Sequence, residues 1–298
     1  MIRIPELGLG TAALALVDEA VADRTLRCAL DRGISYFDTA PLYGGGKAEE
    51  RLGNALKSAQ SASVFVSTKV GRYRPYGAAA GHQSGTPDAW DFSEAAVRGS
   101  IARSQDRLNR EVLDCVFLHD IGGNIDAAFH EALPVMRELQ RKGVIGLVGA
   151  GCNTVDELLS AVDAGADAIL MAGRWTLLDR SAGDKLLPSC KAAGTRIVAG
   201  GVLNSGLLAA RPGPASTFDY RPATAAERAR AQQLSDMAEA EGISLLNAAL
   251  QFPLRHETVG TLLLGAASQD QLEESMTALT ARIPDSFWER AMQTELVP

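Results

Sequence analysis

The sequence contains no block of lysines or arginines, and its formal net charge is −7 at pH 7. A nucleic-acid-binding surface needs a basic patch, so the composition argues against a nucleic-acid partner. No apolar run is long enough to span a bilayer, and the first residues, Met1–Glu6, lack the apolar core of a signal peptide. We therefore expect a cytoplasmic protein without a membrane partner, while its oligomeric state stays open.

Cysteine and histidine are scarce and scattered. The four cysteines form no CxxC pair, and the four histidines show neither HxxxH nor HExxH spacing. Cys115 lies in an apolar run and is typical of a buried, small hydrophobic residue. Because metal sites in proteins usually display such spacings, we predict no protein-bound metal.

Strand-like and helix-like segments alternate along the whole chain of 298 residues. The predicted strands are Leu7–Gly10, Ser35–Asp38, Val64–Thr68, Cys115–His119, Gly146–Ala150, Ala168–Ala172, Arg196–Gly200 and Thr261–Leu264. Between and after them, Leu or Ala recurs at helical spacing over 18–32, 47–59, 93–109, 126–142, 154–164, 182–193, 225–241 and 268–279. This alternation favours an α/β fold, a closed (β/α)8 TIM barrel, over an open doubly wound sheet. Since no low-complexity linker divides the chain, we predict a single domain over 1–298.

Three segments depart from the simple repeat. Pro134 lies inside the fourth predicted helix and should kink or restart it, because proline lacks the N–H that a helix interior needs. The segments Gly71–Asp91 and Leu207–Ala223 are long loops that follow strands. Loops of this length in a compact domain are usually functional, and in a barrel they lie on the C-terminal rim.

Polar side chains occur at or just after the ends of the second, third and fourth predicted strands. They are Asp38, Tyr43, Lys69 and His119. Because parallel strands of a barrel end at one rim, these four can converge. A phenol has a pKa near 10 and accepts a proton at neutral pH only if a charge such as an ammonium stabilises its phenolate. Tyr43 can then exchange a proton with a carbonyl or alcohol that His119 orients, and such chemistry needs a cofactor for the hydride.

Each of these residues also has an ordinary structural explanation. Asp38 can cap a turn, Tyr43 can be a packing residue, Lys69 a solvated charge at a strand end and His119 a hydrogen-bonded core residue. Structural needs do not call for four such residues on one rim, so their joint placement favours catalysis. A barrel that binds a nucleotide without catalysis, as a redox sensor or subunit, remains the alternative of another class.

The segments that carry these residues resemble the aldo-keto reductases. They are Tyr36–Gly44 with Ala48–Gly53, similar to that family's first signature, Val66–Lys69, similar to its lysine strand, and Leu113–Asp120, similar to its histidine strand. The resemblance implies a barrel in which Asp38, Tyr43, Lys69 and His119 are catalytic. It also implies that a nicotinamide dinucleotide lies along the rim.

The same resemblance indicates which residues hold the dinucleotide. Asn153 is implied at the carboxamide and Trp175 as a stacking residue, while Gly200–Leu207 resembles the pyrophosphate loop. Gly265–Ser268 opens a helix whose N-terminus can hold phosphate. The full set implied is Asn153, Trp175, Gly201, Leu203, Ser205, Gly265, Ala266, Ser268, Gln271 and Glu274.

The residues around this last helix indicate NAD rather than NADP. Many family members place Lys or Arg here for the 2′-phosphate, but Thr261–Ala281 contains neither. It contains Asp270, Glu273 and Glu274 instead. Carboxylates repel a 2′-phosphate and can hydrogen-bond a free ribose hydroxyl, so NAD is the predicted cofactor.

Within the family, Gly149–Asn153 and Leu170–Leu178 are most similar to NAD-linked sugar dehydrogenases acting on D-threo-aldoses such as L-fucose, or on L-galactose, and to pyridoxal 4-dehydrogenases. The resemblance implies hydride transfer between nicotinamide and the anomeric carbon of a small aldose, giving the lactone. Pyridoxal oxidation and general aldehyde or ketone reduction are the alternatives. Because the sequence ends soon after its last helix-like stretch, we expect no long C-terminal flap, and substrate contacts from the 71–91 loop. The candidates there are Tyr73, Tyr76, His82 and Trp90.

Overall fold

Eight parallel strands form a closed barrel in the structure, a computed structural model that describes residues 2–59, 63–73 and 89–293. The strands are β1 Leu7–Gly10, β2 Tyr36–Asp38, β3 Phe65–Val70, β4 Leu113–His119, β5 Ile145–Cys152, β6 Ala168–Ala172, β7 Arg196–Gly200 and β8 Val259–Gly265. Strand β1 pairs with both β2 and β8, which closes the barrel. The predicted (β/α)8 fold is confirmed.

Helices cover the outside of the barrel. They are α1 Glu19–Asp31, α2 Lys47–Ser58, α3 Glu94–Leu108, α4 Leu133–Arg141, α5 Val155–Asp163, α6 Leu186–Ala193, α7 Ala225–Ala240, α8 Leu245–Gln251, α9 Gln269–Thr280 and α10 Asp285–Gln293. In the described part of the chain, none of them is both long and apolar enough to cross a bilayer.

Three local features refine the sequence-based assignment. A π-helical turn at Ala127–Ala132 precedes α4, and Pro134 lies in the first turn of α4, so the segment restarts there as predicted. Helix α8 was not predicted, because its seven residues are too few to display helical periodicity. The two long loops contain short antiparallel hairpins, which pair Arg72–Tyr73 with Ala89–Trp90 and Thr217–Phe218 with Arg221–Pro222.

The interior of the barrel is filled by apolar side chains. They form one cluster: Ile4, Tyr36, Phe65, Cys115, Phe117, Leu147, Ala168, Leu170, Val198 and Leu263. A second and larger cluster lies between the strands and the surrounding helices. Cys115 is fully buried, as its apolar neighbours predict. Because strand side chains alternate in direction, polar residues at the C-terminal ends of β2 and β3 stand on top of this interior cluster.

One glycine shows how closely neighbouring strands approach. A Cβ atom on Gly149 of β5 would lie 1.8 Å from the carbonyl oxygen of Ala168, a contact that requires the backbone to move. We expect Gly149→Ala to lower the free energy of unfolding by about 3 kcal/mol or more, measured by urea denaturation. Gly260→Ala in β8 is the matched control, because a Cβ there meets no atom within 4 Å among the described residues. A Gly149→Ala protein as stable as the control would contradict this account.

Candidate active site

The structure brings Asp38, Tyr43, Lys69 and His119 together at the C-terminal rim. Asp38 and His119 end β2 and β4, Lys69 is the penultimate residue of β3, and Tyr43 begins the turn before α2. Strand β3 pairs with both β2 and β4, so the three strand ends are direct neighbours. The convergence predicted from the strand order is therefore present in the fold.

Lys69 is the centre of this group. Its Nζ donates to Asp38 Oδ2 at 2.6 Å, to the carbonyl oxygen of Thr39 at 2.9 Å and to Tyr43 Oη at 3.1 Å. The side chains of Lys69 and Asp38 are almost fully buried, with 3% and 5% of their surface exposed. An ammonium with three oxygen partners in a fixed arrangement holds the phenol oxygen of Tyr43 at a defined position.

The hydrogen-bond network extends below this group to two residues that the sequence analysis missed. Ser67 Oγ donates to Asp38 Oδ1 at 2.6 Å, and Tyr36 Oη lies 2.9 Å from Ser67 Oγ. Both oxygens of Asp38 are therefore engaged, which fixes the carboxylate beside Lys69. The signal in the sequence was the two-residue alternation, because Tyr36 and Ser67 precede Asp38 and Lys69 by two positions and share their face of the strand.

The turn that carries Tyr43 has an unusual backbone. Gly44, Gly45 and Gly46 all have left-handed φ angles, of 63°, 66° and 98°, which residues other than glycine rarely adopt. The guanidinium of Arg107 packs against Gly46, where a Cβ would lie 2.8 Å from Arg107 Nε. Arg107 also pairs with the fully buried carboxylate of Glu49 in α2, at 2.6 Å. Helices α2 and α3 thus hold the turn in place.

The pKa of Tyr43 is raised, although a nearby ammonium alone would lower the pKa of a phenol. Burial raises the pKa of Tyr43, and Lys69 opposes the shift without cancelling it, so that the pKa rises to about 12. Burial has the largest single effect on the pKa of Lys69 and lowers it, but the charges and hydrogen bonds of Asp38 and Tyr43 together outweigh burial, so the Lys69 pKa is raised. At neutral pH the phenol is therefore protonated and the ammonium charged. Lys69 acts on Tyr43 in the expected direction, but burial has the larger effect.

His119 lies at the same end of the barrel, which we call the mouth, and its imidazole is neutral at neutral pH. Burial lowers its pKa well below the usual value, and the positive charges of Lys69 and Arg72 lower it further. Its ring meets that of Tyr43 edge-on, with centroids 5.7 Å apart and an angle of 90°. Nδ1 is buried without a hydrogen-bond partner among the described residues. The tautomer of this neutral ring with its proton on Nε2 would present one donor to an oxygen between His119 and Tyr43.

The residues predicted to hold the dinucleotide follow β5, β7 and β8 on the same rim. Asn153 is exposed immediately after β5. After β7, Gly201 and the non-glycine residues Asn204 and Ser205 have left-handed φ angles of 62°, 46° and 58°. Residues in this conformation can present backbone N–H groups to an anion, although those of Asn204 and Gly206 are donated to carbonyl oxygens within the turn. Ser205 Oγ accepts the N–H of Tyr220 at 3.0 Å, so this turn also holds the hairpin of the following loop. Leu203, half-buried within the turn, packs against the apolar core.

The rim after β8 leaves room beside the start of α9. A Cβ on Gly265 would meet no atom within 4 Å in the described part of the chain, and Ala266 behind it is buried. Ser268 caps the helix by accepting the N–H of Gln271, whose side-chain oxygen accepts the N–H of Ala267 at 2.8 Å. Glycine at the strand end and a well-formed helix start are compatible with a bound phosphate.

Trp175, which the resemblance implied as a stacking residue, has well-defined packing partners in the structure. Its ring packs 5.4 Å from the rings of Phe252 and His256, in the connection between α8 and β8, and its Nε1 is buried without a partner among the described residues. It packs against both the large cluster between the strands and the helices and a further apolar cluster to which α7, α8 and α10 contribute. These contacts give Trp175 a packing role in the layer outside the barrel strands, and its stacking role stays a prediction.

Two of the four aromatic candidates of the 71–91 loop are described. The hydroxyl of Tyr73 accepts the N–H of Gly71 and lies 3.4 Å from the carbonyl oxygen of Ala96 in α3, contacts that engage it with backbone rather than with the mouth. Trp90 lies near the site, because its Nε1 donates to the carbonyl oxygen of Asp120, next to His119, at 2.7 Å. Tyr76 and His82 lie outside the described residues.

No candidate metal site is present in the ranges 2–59, 63–73 and 89–293. There, no group of three or more His, Cys, Asp or Glu side chains is arranged to hold a metal ion.

Comparison with known proteins agrees with this geometry. The family description that matches residues 6–295 is the aldo/keto reductase family. The chain is 34% identical to D-threo-aldose 1-dehydrogenase of a Pseudomonas species, over 100% of this chain and 96% of that protein. It is 36% identical to pyridoxal 4-dehydrogenase of Microbacterium luteolum, over 96% and 93%. A solved aldo-keto reductase from Bacillus halodurans, in its holo form, superimposes with a TM-score of 0.80 at 26% identity, covering 97% and 91%.

Proposed function

The chain belongs to the aldo/keto reductase family, and from this premise we propose that it oxidises the anomeric carbon of a small aldose with NAD, giving the lactone. The family makes it an oxidoreductase that uses a nicotinamide cofactor. The observation that carries the proposal is the contact of Lys69 Nζ with both Asp38 and Tyr43, at 2.6 and 3.1 Å, beside the neutral ring of His119. This arrangement moves a proton at an oxygen without a covalent nucleophile.

The proton transfer follows from the positions of these side chains. A bound nicotinamide dinucleotide supplies the acceptor for the hydride that leaves the anomeric carbon. His119 donates a hydrogen bond to the anomeric oxygen and orients it. Tyr43 Oη takes the proton of that hydroxyl as the C=O bond of the lactone forms, and Lys69 stabilises the phenolate that accepts it. One hydride and one proton leave the sugar, so the step is balanced.

The direction of the reaction is tied to the pKa of Tyr43. Because that pKa is raised to about 12, the phenol is protonated at neutral pH and is ready to give a proton to a carbonyl. Oxidation needs the phenolate, and below the pKa the phenolate fraction rises about tenfold for each unit by which the pH increases. The proposed oxidation is therefore favoured at alkaline pH and carbonyl reduction at neutral pH.

Charges beside α9 support NAD over NADP. Arg32 reaches α9 from the end of α1, but its Nη2 is already paired with Glu273 at 2.9 Å. Asp270 and Glu274 are exposed on the first turns of α9. A 2′-phosphate would meet two carboxylates and a guanidinium that is already neutralised, whereas a free ribose hydroxyl can donate to a carboxylate. Asn153, the turn after β7 and the start of α9 are the proposed contacts of the dinucleotide.

Pyridoxal is the second candidate substrate. The relative that acts on it is as similar to this chain as the sugar dehydrogenase is, at 36% against 34% identity. Pyridoxal in its hemiacetal form also presents a C–H and a hydroxyl on one carbon, so the same proton transfer applies to it. The two candidates differ in the groups around that carbon, which are hydroxyls in the sugar and an aromatic ring in pyridoxal.

The test measures NADH or NADPH formation at pH 9 with L-fucose, L-galactose, D-arabinose and pyridoxal, supplying NAD or NADP at equal concentration. We expect kcat/KM for the best aldose to exceed that for pyridoxal, and NAD to exceed NADP at least about tenfold, equivalent to one favourable ribose contact. Activity on pyridoxal alone supports the second candidate. Reduction of simple aldehydes without sugar oxidation indicates a general reductase, and dinucleotide binding without turnover indicates a non-catalytic barrel.

A further inference from the structure

Beside His119 lie three side chains that the proton transfer does not use. Arg72 forms a close ion pair with Asp120 through Nη1 and Oδ2. The guanidinium of Arg72 also lies 5.5 Å from the ring centroid of Trp90, whose Nε1 donates to the backbone oxygen of Asp120. A carboxylate, a guanidinium and an indole are thus joined into one unit, which we name the Arg72–Asp120–Trp90 cluster.

This cluster directly adjoins the reacting position. Asp120 Oδ2 lies 3.7 Å from His119 Nε2, the nitrogen proposed to hold the anomeric oxygen. The side chains of Asp120 and Arg72 keep 26% and 17% of their surface exposed, so a ligand in the mouth can reach them. A substrate group bound by Asp120 would therefore lie next to the oxygen that reacts.

The backbone at Asp120 is held in a strained conformation that sets the direction of its side chain. Its φ angle is +38°, in a region that few non-glycine residues adopt. Its N–H donates to the carbonyl oxygen of Gly151 at 2.8 Å, and its own carbonyl accepts from Trp90. Strain of this kind persists only where the surroundings impose it, and it is frequent at ligand-binding positions.

The chemistry of the cluster matches a sugar better than a simple aldehyde. A sugar hydroxyl both donates and accepts, so it can donate to the Asp120 carboxylate and accept from the Arg72 guanidinium. The exposed face of Trp90 offers an apolar surface to the C–H bonds of a sugar ring. A simple aldehyde has no hydroxyl for these groups and would displace their water without replacing its hydrogen bonds.

We propose that Asp120 and Arg72 bind the hydroxyl on the carbon next to the anomeric carbon, and that with Trp90 they select polyhydroxylated substrates over simple aldehydes. This inference rests on the proposed function, because it names the part of the same site that recognises the sugar. It makes Asp120 and Arg72 determinants of specificity, whereas Tyr43, Lys69 and His119 act on either kind of substrate.

Asp120→Asn tests the inference, because asparagine keeps the shape of the side chain and tolerates a left-handed backbone while removing the charge. The measurements are kcat/KM for oxidation of L-fucose and 2-deoxy-L-fucose with NAD, and for reduction of benzaldehyde with NADH. We expect the variant to lose about 10- to 100-fold on L-fucose and less than about threefold on benzaldehyde. The preference of the unaltered protein for L-fucose over its 2-deoxy analogue should disappear in the variant.

Asp167→Asn is the matched control. Asp167 precedes β6, at the opposite end of the barrel, and pairs with Arg137 at 2.8 Å with 25% of its side chain exposed, close to the exposure of Asp120. Its loss should change neither the ratio of L-fucose to benzaldehyde activity nor the 2-deoxy preference. Arg72→Lys keeps the charge but loses the planar fork, so it should reduce L-fucose activity and spare benzaldehyde reduction.

The outcomes separate this inference from the function on which it rests. Equal losses on L-fucose and benzaldehyde in Asp120→Asn would mean that the carboxylate only positions His119, and would overturn the inference. Undiminished L-fucose oxidation in that variant would overturn it as well, with the proposed function intact. If the unaltered protein reduces benzaldehyde but oxidises no aldose, the proposed function itself fails.

Discussion

Tyr43→Phe is expected to lower kcat for sugar oxidation by about 1,000-fold, while the Kd of the dinucleotide changes by less than about twofold. The hydroxyl removed is the one that Lys69 Nζ contacts at 3.1 Å, edge-on to His119. Without it, the proton of the anomeric hydroxyl has no acceptor held in place, although the turn after β2 and the rim after β7 should be unchanged. Steady-state NADH formation gives kcat, and quenching of tryptophan fluorescence gives Kd.

Tyr36→Phe is the comparison for this variant. It also removes one buried phenol oxygen from the same network, but that oxygen contacts Ser67, 2.9 Å away, instead of Lys69. We expect a loss in kcat of less than about tenfold, because losing the Tyr36 hydroxyl affects Asp38 only through Ser67 and leaves the proton acceptor, Tyr43, in place. Similar losses in both variants, or full turnover in Tyr43→Phe, would rule out Tyr43 as the group that takes the proton.

Lys69→Met is expected to impair both catalysis and stability. The Asp38 carboxylate would stay buried without its ammonium partner, and stranding one member of a buried ion pair typically costs about 3–5 kcal/mol of unfolding free energy. The pKa of Tyr43 should rise further, because Lys69 is the group that lowers it. We expect kcat at pH 9 to fall about 100-fold or more, with the pH–rate profile displaced to higher pH.

The pH of the stability measurement follows from the pKa of Lys69. That pKa is raised in the folded protein, so the ion pair contributes fully below the unfolded value of about 10.4 and is lost only as the pH rises through the folded pKa. Urea unfolding at pH 8 therefore reports the complete effect of Lys69→Met.

The double variant Lys69→Met with Asp38→Asn separates the two roles. Neutralising the stranded carboxylate should recover about 2 kcal/mol or more of the lost stability, because an amide costs less to bury than an unpaired charge. Catalysis should not recover, because the ammonium that stabilises the phenolate is still missing. Recovery of turnover in the double variant would show that Lys69 serves the fold alone.

Much of the fold was predictable because burial on both faces makes parallel strands short apolar runs. Such a run precedes each of the rim residues Asp38, Lys69 and His119, and all eight strands were assigned from the same pattern. Helix α8 escaped, since a buried helix of seven residues has no polar face to reveal its period. The hairpins of the long loops escaped because strands of two residues have no alternation to detect.

By itself the sequence determined which chemical groups reach the rim, since the ends of parallel strands share one side and place Asp38, Lys69 and His119 there. Only the tertiary structure decided what those groups experience. Burial outweighs the ammonium at Tyr43, Trp175 turns into the outer packing layer, and Arg72 meets Asp120 across 48 positions of sequence. These outcomes depend on distances and solvent exclusion between residues far apart in the chain, which no local pattern of residue types records.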